Sequence, residues 1–549
     1  MEKFYVLLLV LTTLCIQFSQ AQDRFPISII HINDFHARFE PTDTSGGTCD
    51  EGEQCIGGYA RTAYTVKRLL DEQKDQNPIF INAGDSFQGT LWYNIGRWNV
   101  TQQFLNMVPA DAMTLGNHEF DHGVEGLVPF LETIDTQMLV ANMDASHEPT
   151  LEGKFKKSTI LERSGRKIGL IGVILETTYD LANTGKLIFQ NESEAIREEA
   201  VELQKEGADI IIVISHCGYD VDKEIARQAG DIVDVIVGAH SHTFLYTGTP
   251  PGPDTPAGDY PTEHVHGNGH RLLIVQASSY ARYVGNITVY FDDEGNVVDY
   301  EGAPIYMSSD VPQDEDVLAA IQPWKETVDE RGNVIIGKSK VELTKSDCSS
   351  EECNLGNFFC DSLVHTFTGL TPYDQTAWSN VSIAVVGTGA LRVPLSRGNL
   401  TYSHMVTMSP FENKIAALNL RGDKLVEALE FGVSKIDLEN NVRSSAIYLQ
   451  VSGLKVTYDY SKPVNSRVVT VEARCADCEV PRYEPLDTSK LYRVAMPDFL
   501  QKGGDGFKMF YEHGTDVQYS LTDLEALISY TENIDPIFVG REGRITVLN

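Results

Sequence analysis

The sequence predicts an α/β fold with at least two domains, on three observations. From Pro26 to about Ser309, short apolar runs rich in β-branched residues alternate with amphipathic stretches. At 549 residues, the chain is long enough to bury two or more hydrophobic cores. Its content of 42% hydrophobic and 22% charged residues is that of a globular protein, which excludes disordered and fibrous classes.

The first 22 residues have the pattern of a cleaved signal peptide, with an apolar run from Phe4 to Cys15 followed by small residues. A membrane anchor is the alternative, but the run is shorter than the ~20 residues of a membrane span. The chain ends in GREGRITVLN, without the hydrophobic tail of a lipid-anchor signal. We therefore expect a secreted protein without a membrane anchor. Glycosylation sequons consistent with this route occur at Asn99, Asn191, Asn286, Asn380 and Asn399.

The first domain, predicted over residues 23–310, contains apolar runs that are too short for surface helices. We predict buried strands at four of them: PISIIHI, PIFINAG, DIIIVIS and VDVIVGA. Polar residues of the types that bind metals follow each run directly. The carboxyl ends of these strands are therefore the expected position of a functional site.

A linker helix is predicted over residues 311–335, because Val317, Ile321, Trp324 and Val328 recur at helical spacing. Pro323 should start or kink this helix. Residues 336–549 then form a second α/β domain, with strands such as KIAALNL and LKVTYDY and a helix at KLVEALEFG.

The nine cysteines fit an oxidising compartment, and one of them, Cys15, lies in the predicted signal peptide. Short separations predict three disulfides, Cys49–Cys55, Cys348–Cys353 and Cys475–Cys478. Zinc binding by the CADC segment is the alternative for the last pair, although no second CxxC or CxxH lies near it. Cys217 and Cys360 remain, either paired with each other or as buried thiols.

The formal net charge is −34, from 44 basic and 78 acidic residues. Such a charge opposes sequence-independent binding to nucleic acid or to an anionic membrane. A polyanionic substrate would therefore need metal ions or a few well-placed cations in the protein.

Five segments concentrate residues that bind metals: HINDFHARF with Asp34 and His36, NAGDSFQGT with Asp85, TLGNHEFDHG with Asn117, His118 and Asp121, ISHCGYD with His216, and VGAHSHT with His240 and His242. Asp34 and His36 are two residues apart at the end of an extended run, so strand alternation predicts that both project from one side. His240 and His242 have the same spacing.

A centre that hydrolyses phosphate esters commonly holds two divalent ions about 4 Å apart, which share a bridging carboxylate. Asp85 is the natural bridge because flanking glycines allow a close approach of backbone and substrate. Nitrogen and oxygen ligands without thiolates suit Zn²⁺, Mn²⁺ or Fe. We expect two divalent ions, zinc first, with calcium, magnesium or manganese as alternatives. A single histidine is as easily a core or capping residue, but five strand ends that each supply a ligand are not explained by packing.

The motifs HINDFHARF, GDSFQG, GNHEFD and GAHSH resemble those of the 5′-nucleotidase and apyrase family of metallophosphoesterases, over essentially the whole mature length. Within the family, the chain is most similar to secreted salivary apyrases of blood-feeding arthropods. The resemblance implies an N-terminal α/β/β/α sandwich and a C-terminal α/β nucleotide-binding domain, joined by a helix. It also implies a rotation of the domains, with the helix near residues 311–335 as the hinge.

The resemblance also implies roles for individual residues. One metal would be held by Asp34, His36, Asp85 and His242, and the other by Asp85, Asn117, His216 and His240. His118 would stabilise the transferring phosphoryl group, and Asp121 would fix its orientation.

In the second domain, the resemblance implies that Phe411 and Phe499 clamp the base, Asp505 holds the ribose and Arg392 binds the substrate. Each phenylalanine is equally explained by core packing. The chain departs from the family at three positions, with Ser349 in place of a common arginine and Gly387 and Asp498 in place of common asparagines. These departures predict a nucleotide pocket with fewer polar anchors.

The resulting expectation is an enzyme that hydrolyses extracellular ATP and ADP to AMP and phosphate, and so inhibits ADP-driven platelet aggregation. One alternative is a 5′-nucleotidase that converts AMP to adenosine. Another is an integrin antagonist that acts through Arg421, Gly422 and Asp423. That tripeptide also fits a plain strand-to-helix junction, with Gly422 in the turn and Asp423 as the helix cap.

Overall fold

The computed structural model describes residues 24–49, 52, 54–372 and 377–548. The predicted signal peptide lies outside the described residues. Within the described part, no helix is both long and apolar enough to cross a membrane.

The first sheet of the N-terminal domain contains the strands β1 (Phe25–Ile32), β2 (Ile79–Asn82), β3 (Ala112–Met113), β12 (Tyr283–Phe291), β13 (Val297–Gly302) and β14 (Ile305–Tyr306). Their order is β13-β12-β1-β2-β3, and β14 also pairs with β12. Strands β1, β2 and β3 are parallel, whereas β12 is antiparallel to β1.

The second sheet contains the strands β5 (Ser158–Arg163), β6 (Arg166–Ile174), β8 (Ile210–His216), β9 (Val235–Gly238), β10 (Thr262–Val265) and β11 (Arg271–Val275). Their order is β10-β11-β9-β8-β6-β5, and the four central strands are parallel. A short separate pair is formed by β4 (Met143–Asp144) and β7 (Ile188–Phe189).

The two sheets pack face to face because alternate residues of each strand point to opposite sides. Ile27 and Ile29 of β1 share a buried cluster with Ile210 and Ile212 of β8, whereas Ile30 belongs to the cluster under the outer helices. The helices are α1 (Tyr59–Glu72), α2 (Leu91–Leu105), α3 (Gly123–Thr133), α4 (Thr178–Leu181), α5 (Glu192–Lys205) and α6 (Tyr219–Ala229). The predicted α/β/β/α sandwich is confirmed.

Helix α7 (Glu315–Gly332) links the two domains. Asp314 caps it, since its Oδ1 accepts a hydrogen bond from Val317 N at 3.1 Å. The expectation that Pro323 starts the helix is wrong, because the capped first turns precede it and the helix continues through it. A proline inside a helix removes one backbone hydrogen bond, and the buried face of α7 offsets this loss.

The second domain contains the strands β15 (Ile335–Ser339), β16 (Ile383–Gly387), β17 (Gly398–Thr401), β18 (Lys414–Arg421), β19 (Leu449–Ser452), β20 (Leu454–Asp459), β21 (Val468–Arg474), β22 (Tyr483–Pro485), β23 (Leu491–Pro497), β24 (Thr515–Thr522) and β25 (Ile545–Leu548). They form a five-stranded sheet, β19-β16-β23-β18-β24, a four-stranded sheet, β22-β21-β20-β25, and a β15–β17 ribbon. The helices are α8 (Asn354–Leu370), α9 (Tyr402–Met408), α10 (Gly422–Gly432), α11 (Asp498–Gln501), α12 (Lys508–His513) and α13 (Asp523–Asn533).

One hydrophobic cluster runs from α2 of the first domain through α7 to α8 and α9 of the second. At its edge, Arg97 forms an ion pair with Glu412 at 2.9 Å, and Asn94 donates a hydrogen bond to the carbonyl of Pro410 at 3.2 Å. These contacts hold the segment around Phe411 against the first domain.

The three predicted disulfides, Cys49–Cys55, Cys348–Cys353 and Cys475–Cys478, are confirmed. Because both sulfurs of the CADC segment are used in a disulfide, the alternative of zinc binding there is wrong. Cys217 and Cys360 are buried thiols.

Candidate active site

The loops that follow β1 and β9 carry four of the predicted ligands. Strand β1 ends at Ile32, and Asp34 and His36 lie beyond it, each with a φ of 49°. After β9, His240 and His242 have φ values of 73° and 53°. The prediction that strand alternation aligns these side chains is therefore wrong. Left-handed backbone turns direct them instead, and Asp and His adopt this conformation more readily than bulkier residues do.

Backbone hydrogen bonds join the loop after β1 to the loop after β2. Asp34 N donates to Gly84 O at 3.1 Å, and His36 N donates to Asp85 O at 3.0 Å. The two loops are therefore held together before any ligand is bound.

The first ligand group contains Asp34, His36, Asp85 and His242, whose candidate ligand atoms all lie within 4.8 Å of one another. His36 Nε2 lies 3.1 Å from His242 Nε2 and 3.6 Å from Asp85 Oδ2. His242 Nε2 lies 3.5 Å from Asp34 Oδ1. Two imidazole nitrogens and two carboxylates thus converge on one point.

The second ligand group contains Asp85, His216 and His240, and the side chain of Asn117 joins it. His216 Nε2 lies 3.1 Å from Asp85 Oδ2, and Asn117 Oδ1 lies 2.8 Å from His240 Nδ1. Asp85 belongs to both groups, as a carboxylate that bridges two ions must.

The donor set fits a dinuclear centre for divalent ions. His36 Nδ1 donates to Phe87 O at 3.2 Å and His216 Nδ1 donates to Ala83 O at 2.7 Å, so both Nε2 atoms face the cluster. Such a hydrogen bond from the outer nitrogen is typical of metal-binding histidines. His216 Nε2 is buried near Asp85 without the geometry of a hydrogen bond, as expected for two ligands of one cation.

Burial and charge set the protonation of these groups. Burial lowers the pKa of His240 to about 3, and it lowers the pKa values of His36 and His242 as well. They are therefore in the neutral form that binds metals. Burial opposes a charge on His216, but the negative Asp85 outweighs it and raises the pKa of His216 to about 10. The carboxylates of Asp85 and Asp34 thus favour a positive charge beside His216.

Glu119 is a residue of the site that the sequence analysis missed. Its buried carboxylate accepts hydrogen bonds from the backbone N–H groups of Gly116, Ser86, Asp85 and Phe87, at 2.6, 2.7, 3.0 and 3.1 Å. One side chain therefore ties the loop of Asp85 to the loop of Asn117. The only signal in the sequence is that this acid lies inside the GNHEFD segment, beside the ligands.

The two ligand groups together are called the metal cluster. His118 lies at its edge, on the short 3₁₀ helix Asn117–Phe120. Its Nδ1 donates a hydrogen bond to Asp121 Oδ2 at 2.8 Å, and its backbone N–H donates to Asp85 Oδ1 at 3.0 Å. Burial opposes protonation, but the charges of Asp121 and Asp85 outweigh it and raise the pKa of His118. The imidazole is thus held in one orientation and favoured in its positive form.

The second domain brings Arg392 and Phe411, two of its predicted substrate residues, to the same place. Arg392 Nη2 lies 3.3 Å from His36 Nε2, and the guanidinium carbon lies 5.6 Å from the ring centre of Phe411. Phe411 stacks on the ring of His118. Burial raises the pKa of Asp505 to about 6, an effect that the charges of His118 and Arg392 oppose.

Phe499 lies on α11, just before the turn that carries Asp505. A Cβ atom on Gly504 would approach the Phe499 ring to 2.6 Å, so only glycine fits between the ring and this turn. Of the departures from the family, Asp498 forms an ion pair with Lys502 at 2.7 Å. Gly387 faces Asp505, whose Oδ2 lies 3.6 Å from the position of a Cβ on that glycine.

The Arg-Gly-Asp tripeptide lies at the junction of β18 and α10. Arg421 Nε donates to Asp423 Oδ1 at 2.6 Å, and Nη2 donates to Oδ2. The expectation that Asp423 caps the helix is wrong, since Arg421 occupies the N-cap position and Asp423 lies in the first turn. Gly422 is required there, because a Cβ would lie 2.3 Å from the carbonyl oxygen of Asp487. The cation and the carboxylate of the tripeptide thus bind each other.

Two family models match the chain. Residues 27–244 match the calcineurin-like phosphoesterase model, and residues 335–512 match the 5′-nucleotidase C-terminal domain model. The first range contains all the residues of the metal cluster, and the second contains Arg392, Phe411, Phe499 and Asp505.

Similar proteins cover nearly the whole chain. A 5′-nucleotidase-related protein of Glossina morsitans morsitans is 49% identical, over 97% of this chain and 96% of its own. An apyrase of Tabanus yao is 48% identical, over 95% of this chain and 94% of the apyrase. The crystal structure of a 5′-nucleotidase precursor from Thermus thermophilus is 33% identical with a TM-score of 0.86, over 96% of this chain and 100% of that one. The chain therefore belongs to the 5′-nucleotidase and apyrase family of metallophosphoesterases, and it is a hydrolase that acts on nucleotides at a dinuclear divalent-metal site.

Proposed function

We propose that the protein is an apyrase, which removes the terminal phosphate of ATP and ADP and releases AMP. One observation carries this proposal. The metal cluster faces the second domain, with Arg392 Nη2 3.3 Å from His36 Nε2 and the ring of Phe411 stacked on that of His118. A phosphate chain held at the metals would therefore lie next to a cation and an aromatic face.

The ligands proposed for the two ions are those of the two groups, with Asp85 shared and Asn117 in the second. When bound, the ions polarise the phosphoryl group and activate a water molecule for attack on phosphorus. His118 stabilises the charge that develops on the phosphoryl and leaving oxygens, because its pKa is raised and it favours the positive form. Asp121 holds the imidazole through Nδ1 and so directs Nε2 toward the substrate.

The nucleoside would be bound by the second domain. Phe411 and Phe499 stack on the two faces of the base, a mode that tolerates different bases. Asp505 accepts hydrogen bonds from the ribose, and Arg392 donates hydrogen bonds to phosphate oxygens. Because Gly387 and Asp498 offer no amide to the nucleoside, we expect affinity to depend mainly on the phosphates.

Zinc is the proposed native metal, with manganese, magnesium and calcium as alternatives. The proposal is supported by four histidine nitrogens in the cluster, since imidazole suits zinc better than it suits calcium or magnesium. Adding single metals back to chelated protein tests this assignment, and full activity with calcium alone would contradict it.

We further propose that the protein is secreted and acts on extracellular nucleotides. The three disulfides support this, because such bonds form and persist in oxidising compartments. Where the substrate is ADP released by platelets, its hydrolysis would suppress aggregation. Detection of the mature protein in culture medium, with its N-terminus at about residue 23, tests export.

The decisive experiment measures phosphate release from ATP, ADP and AMP in parallel, with and without EDTA. Metal-dependent release from ATP and ADP with little from AMP is the expected result. Release mainly from AMP would favour the second candidate, a 5′-nucleotidase. The chemistry at the metals would be the same for both candidates, and the similar Thermus structure is that of a 5′-nucleotidase precursor. No release from any of the three would contradict both. The integrin alternative has no such support, because Arg421 and Asp423 bind each other.

A further inference from the structure

The Tyr280 ring lies against the metal cluster and near several cations. The ring centre of Tyr280 is 5.5 Å from that of His36 and 5.2 Å from that of His242. Arg38, Lys345 and Arg392 all lie close enough to favour the negative form of this phenol. Burial opposes its ionisation, but these charges and that of Arg282 outweigh it and lower the pKa of Tyr280 to about 8.

Arg38 is held in place by main-chain carbonyls. The residue is 1% exposed, and its Nε donates to Gly46 O at 3.1 Å while its Nη1 donates to His36 O at 2.7 Å. Its guanidinium carbon lies 4.0 Å from the ring centre of Tyr280. The remaining nitrogen, Nη2, is buried and has no hydrogen-bond partner among the described residues. A buried guanidinium donor without a partner is costly unless a ligand supplies the acceptor.

Lys345 reaches the cluster from the second domain, on the segment between β15 and α8. Its Nζ donates a hydrogen bond to the carbonyl of Arg392 at 3.0 Å. Burial, together with the charges of Arg392 and Arg38, lowers the pKa of Lys345 to about 8. An ammonium group has three donors, so two remain for a ligand.

Among the described residues, three of these cations form no ion pair, although Asp43 lies near enough to Arg38 to favour its charge. Arg282, a fourth cation nearby, forms an ion pair with Asp254 at 2.7 Å. In the part of the chain that the structure describes, Arg38, Lys345 and Arg392 form no ion pair with a carboxylate, although the whole protein has a net charge of −34. Arg38 is buried and Lys345 and Arg392 are half-buried, so this cluster of cations without a paired carboxylate offers a site for an anion.

We propose that Lys345 and Arg38 bind a phosphate group of the substrate other than the one transferred, and so select nucleoside di- and triphosphates over monophosphates. The inference rests on the proposed function. Lys345 and Arg38 come from different domains, so this phosphate also joins the two domains across the site. Arg392 connects Lys345 to His36, because its carbonyl accepts the hydrogen bond from Lys345 and its guanidinium contacts His36.

The test compares Lys345→Met with the wild type on ADP and on p-nitrophenyl phosphate, which has a single phosphate. Loss of a charged hydrogen bond should raise KM for ADP about 10-fold or more, and leave KM for p-nitrophenyl phosphate nearly unchanged. Lys345→Arg should restore most of the affinity for ADP, since it restores the cation. Lys340→Met is the matched control, because Lys340 is exposed on the same segment. An equal loss on both substrates, or an equal loss in the control, would overturn the proposal.

Binding of metal-loaded protein to methylenediphosphonate and to methylphosphonate gives a second measurement, which is independent of turnover. The wild type should bind the diphosphonate more tightly, and Lys345→Met should remove most of this preference. If the wild type does not hydrolyse ADP but shows the preference, the proposed function fails and the anion site stands. If the wild type and the variant bind the two ligands alike, the anion site is wrong.

Discussion

The ring of Phe411 stacks on the ring of His118, with their centres 5.5 Å apart and their planes at 16°. The two residues belong to different domains, and each is expected to contact substrate. A base that stacks on Phe411 needs a face of that ring, and one face is covered by His118. A base that stacks on this covered face has to separate the two rings, which a rotation of the domains about α7 would achieve.

Replacement of Phe411 by alanine should weaken nucleotide binding and spare the chemistry. Loss of one stacking face costs about 1–3 kcal/mol of binding free energy, so KM for ADP should rise about 5- to 150-fold. KM for p-nitrophenyl phosphate should change little, because that substrate has no base. Phe411→Trp, which keeps an aromatic face, is the control. If Phe411→Ala lowers turnover of both substrates equally, the ring supports His118 and does not bind the base.

Replacement of Asp85 by alanine should abolish phosphate release, because both ligand groups lose their shared carboxylate. The metal content measured by elemental analysis should fall below two ions per chain.

The same variant separates the enzyme from the integrin alternative. Asp85→Ala should lose inhibition of platelet aggregation, and Asp423→Ala should keep it. The opposite pattern would show that inhibition depends on the tripeptide and not on catalysis.

Replacement of Asp121 by asparagine should lower kcat by about 100-fold with little change in KM, since His118 loses the carboxylate that orients and charges it. Steady-state kinetics with ADP at saturating metal would measure both constants. An increase in KM with an unchanged kcat would indicate that Asp121 serves ground-state binding instead.

Replacement of Glu119 by glutamine should destabilise the metal centre without removing a ligand. The amide NH₂ replaces one carboxylate oxygen and cannot accept the two backbone hydrogen bonds that this oxygen receives, so the free energy of unfolding should fall by about 1–3 kcal/mol. Metal affinity should fall about 10- to 100-fold, as for other groups that orient ligands. Glu152→Gln, at an exposed position, should change neither quantity. Unaltered metal binding in Glu119→Gln would show that the two loops are held by other contacts.

Acid sensitivity should depend in part on His31, which lies in the core of β1. Burial lowers the pKa of His31 from 6.5 to about 3. At a pH between these two values, His31 binds a proton in the unfolded chain but not in the folded chain. Stability should therefore fall as the pH drops below 6.5, by up to about 1.4 kcal/mol per pH unit from this group. His31→Gln should have a shallower acid slope in urea unfolding. Parallel slopes for the two proteins would contradict the assignment.

The strands and the identity of the site were predictable because both follow from local patterns. The runs that contain Ile29, Ile212 and Ile236 are apolar over a strand's length, and a ligand residue follows each. Strand alternation could not predict the directions of the Asp34 and His36 side chains, because these depend on left-handed turns beyond the end of the strand.

Glu119, Tyr280 and Lys345 were not predicted for a different reason. Each acts through contacts with segments far away in the sequence, such as the Asp85 loop for Glu119 and the Arg392 carbonyl for Lys345. An acid two residues after a candidate ligand and a lysine three residues before a cysteine carry no local pattern that distinguishes them from solvent-exposed residues. The contacts of Glu119 lie within the first domain and that of Lys345 within the second, and both appear only once the chain is folded.

The left-handed backbone at the metal centre implies a trade-off between stability and activity. Asp34, His36, Asp85, His240 and His242 all have φ between 49° and 73°, a conformation that costs each about 1 kcal/mol or more relative to glycine. His242→Gly should thus raise the melting temperature of the metal-free protein while removing a ligand. Selection for thermal stability alone would erode this centre, and its retention requires selection for catalysis.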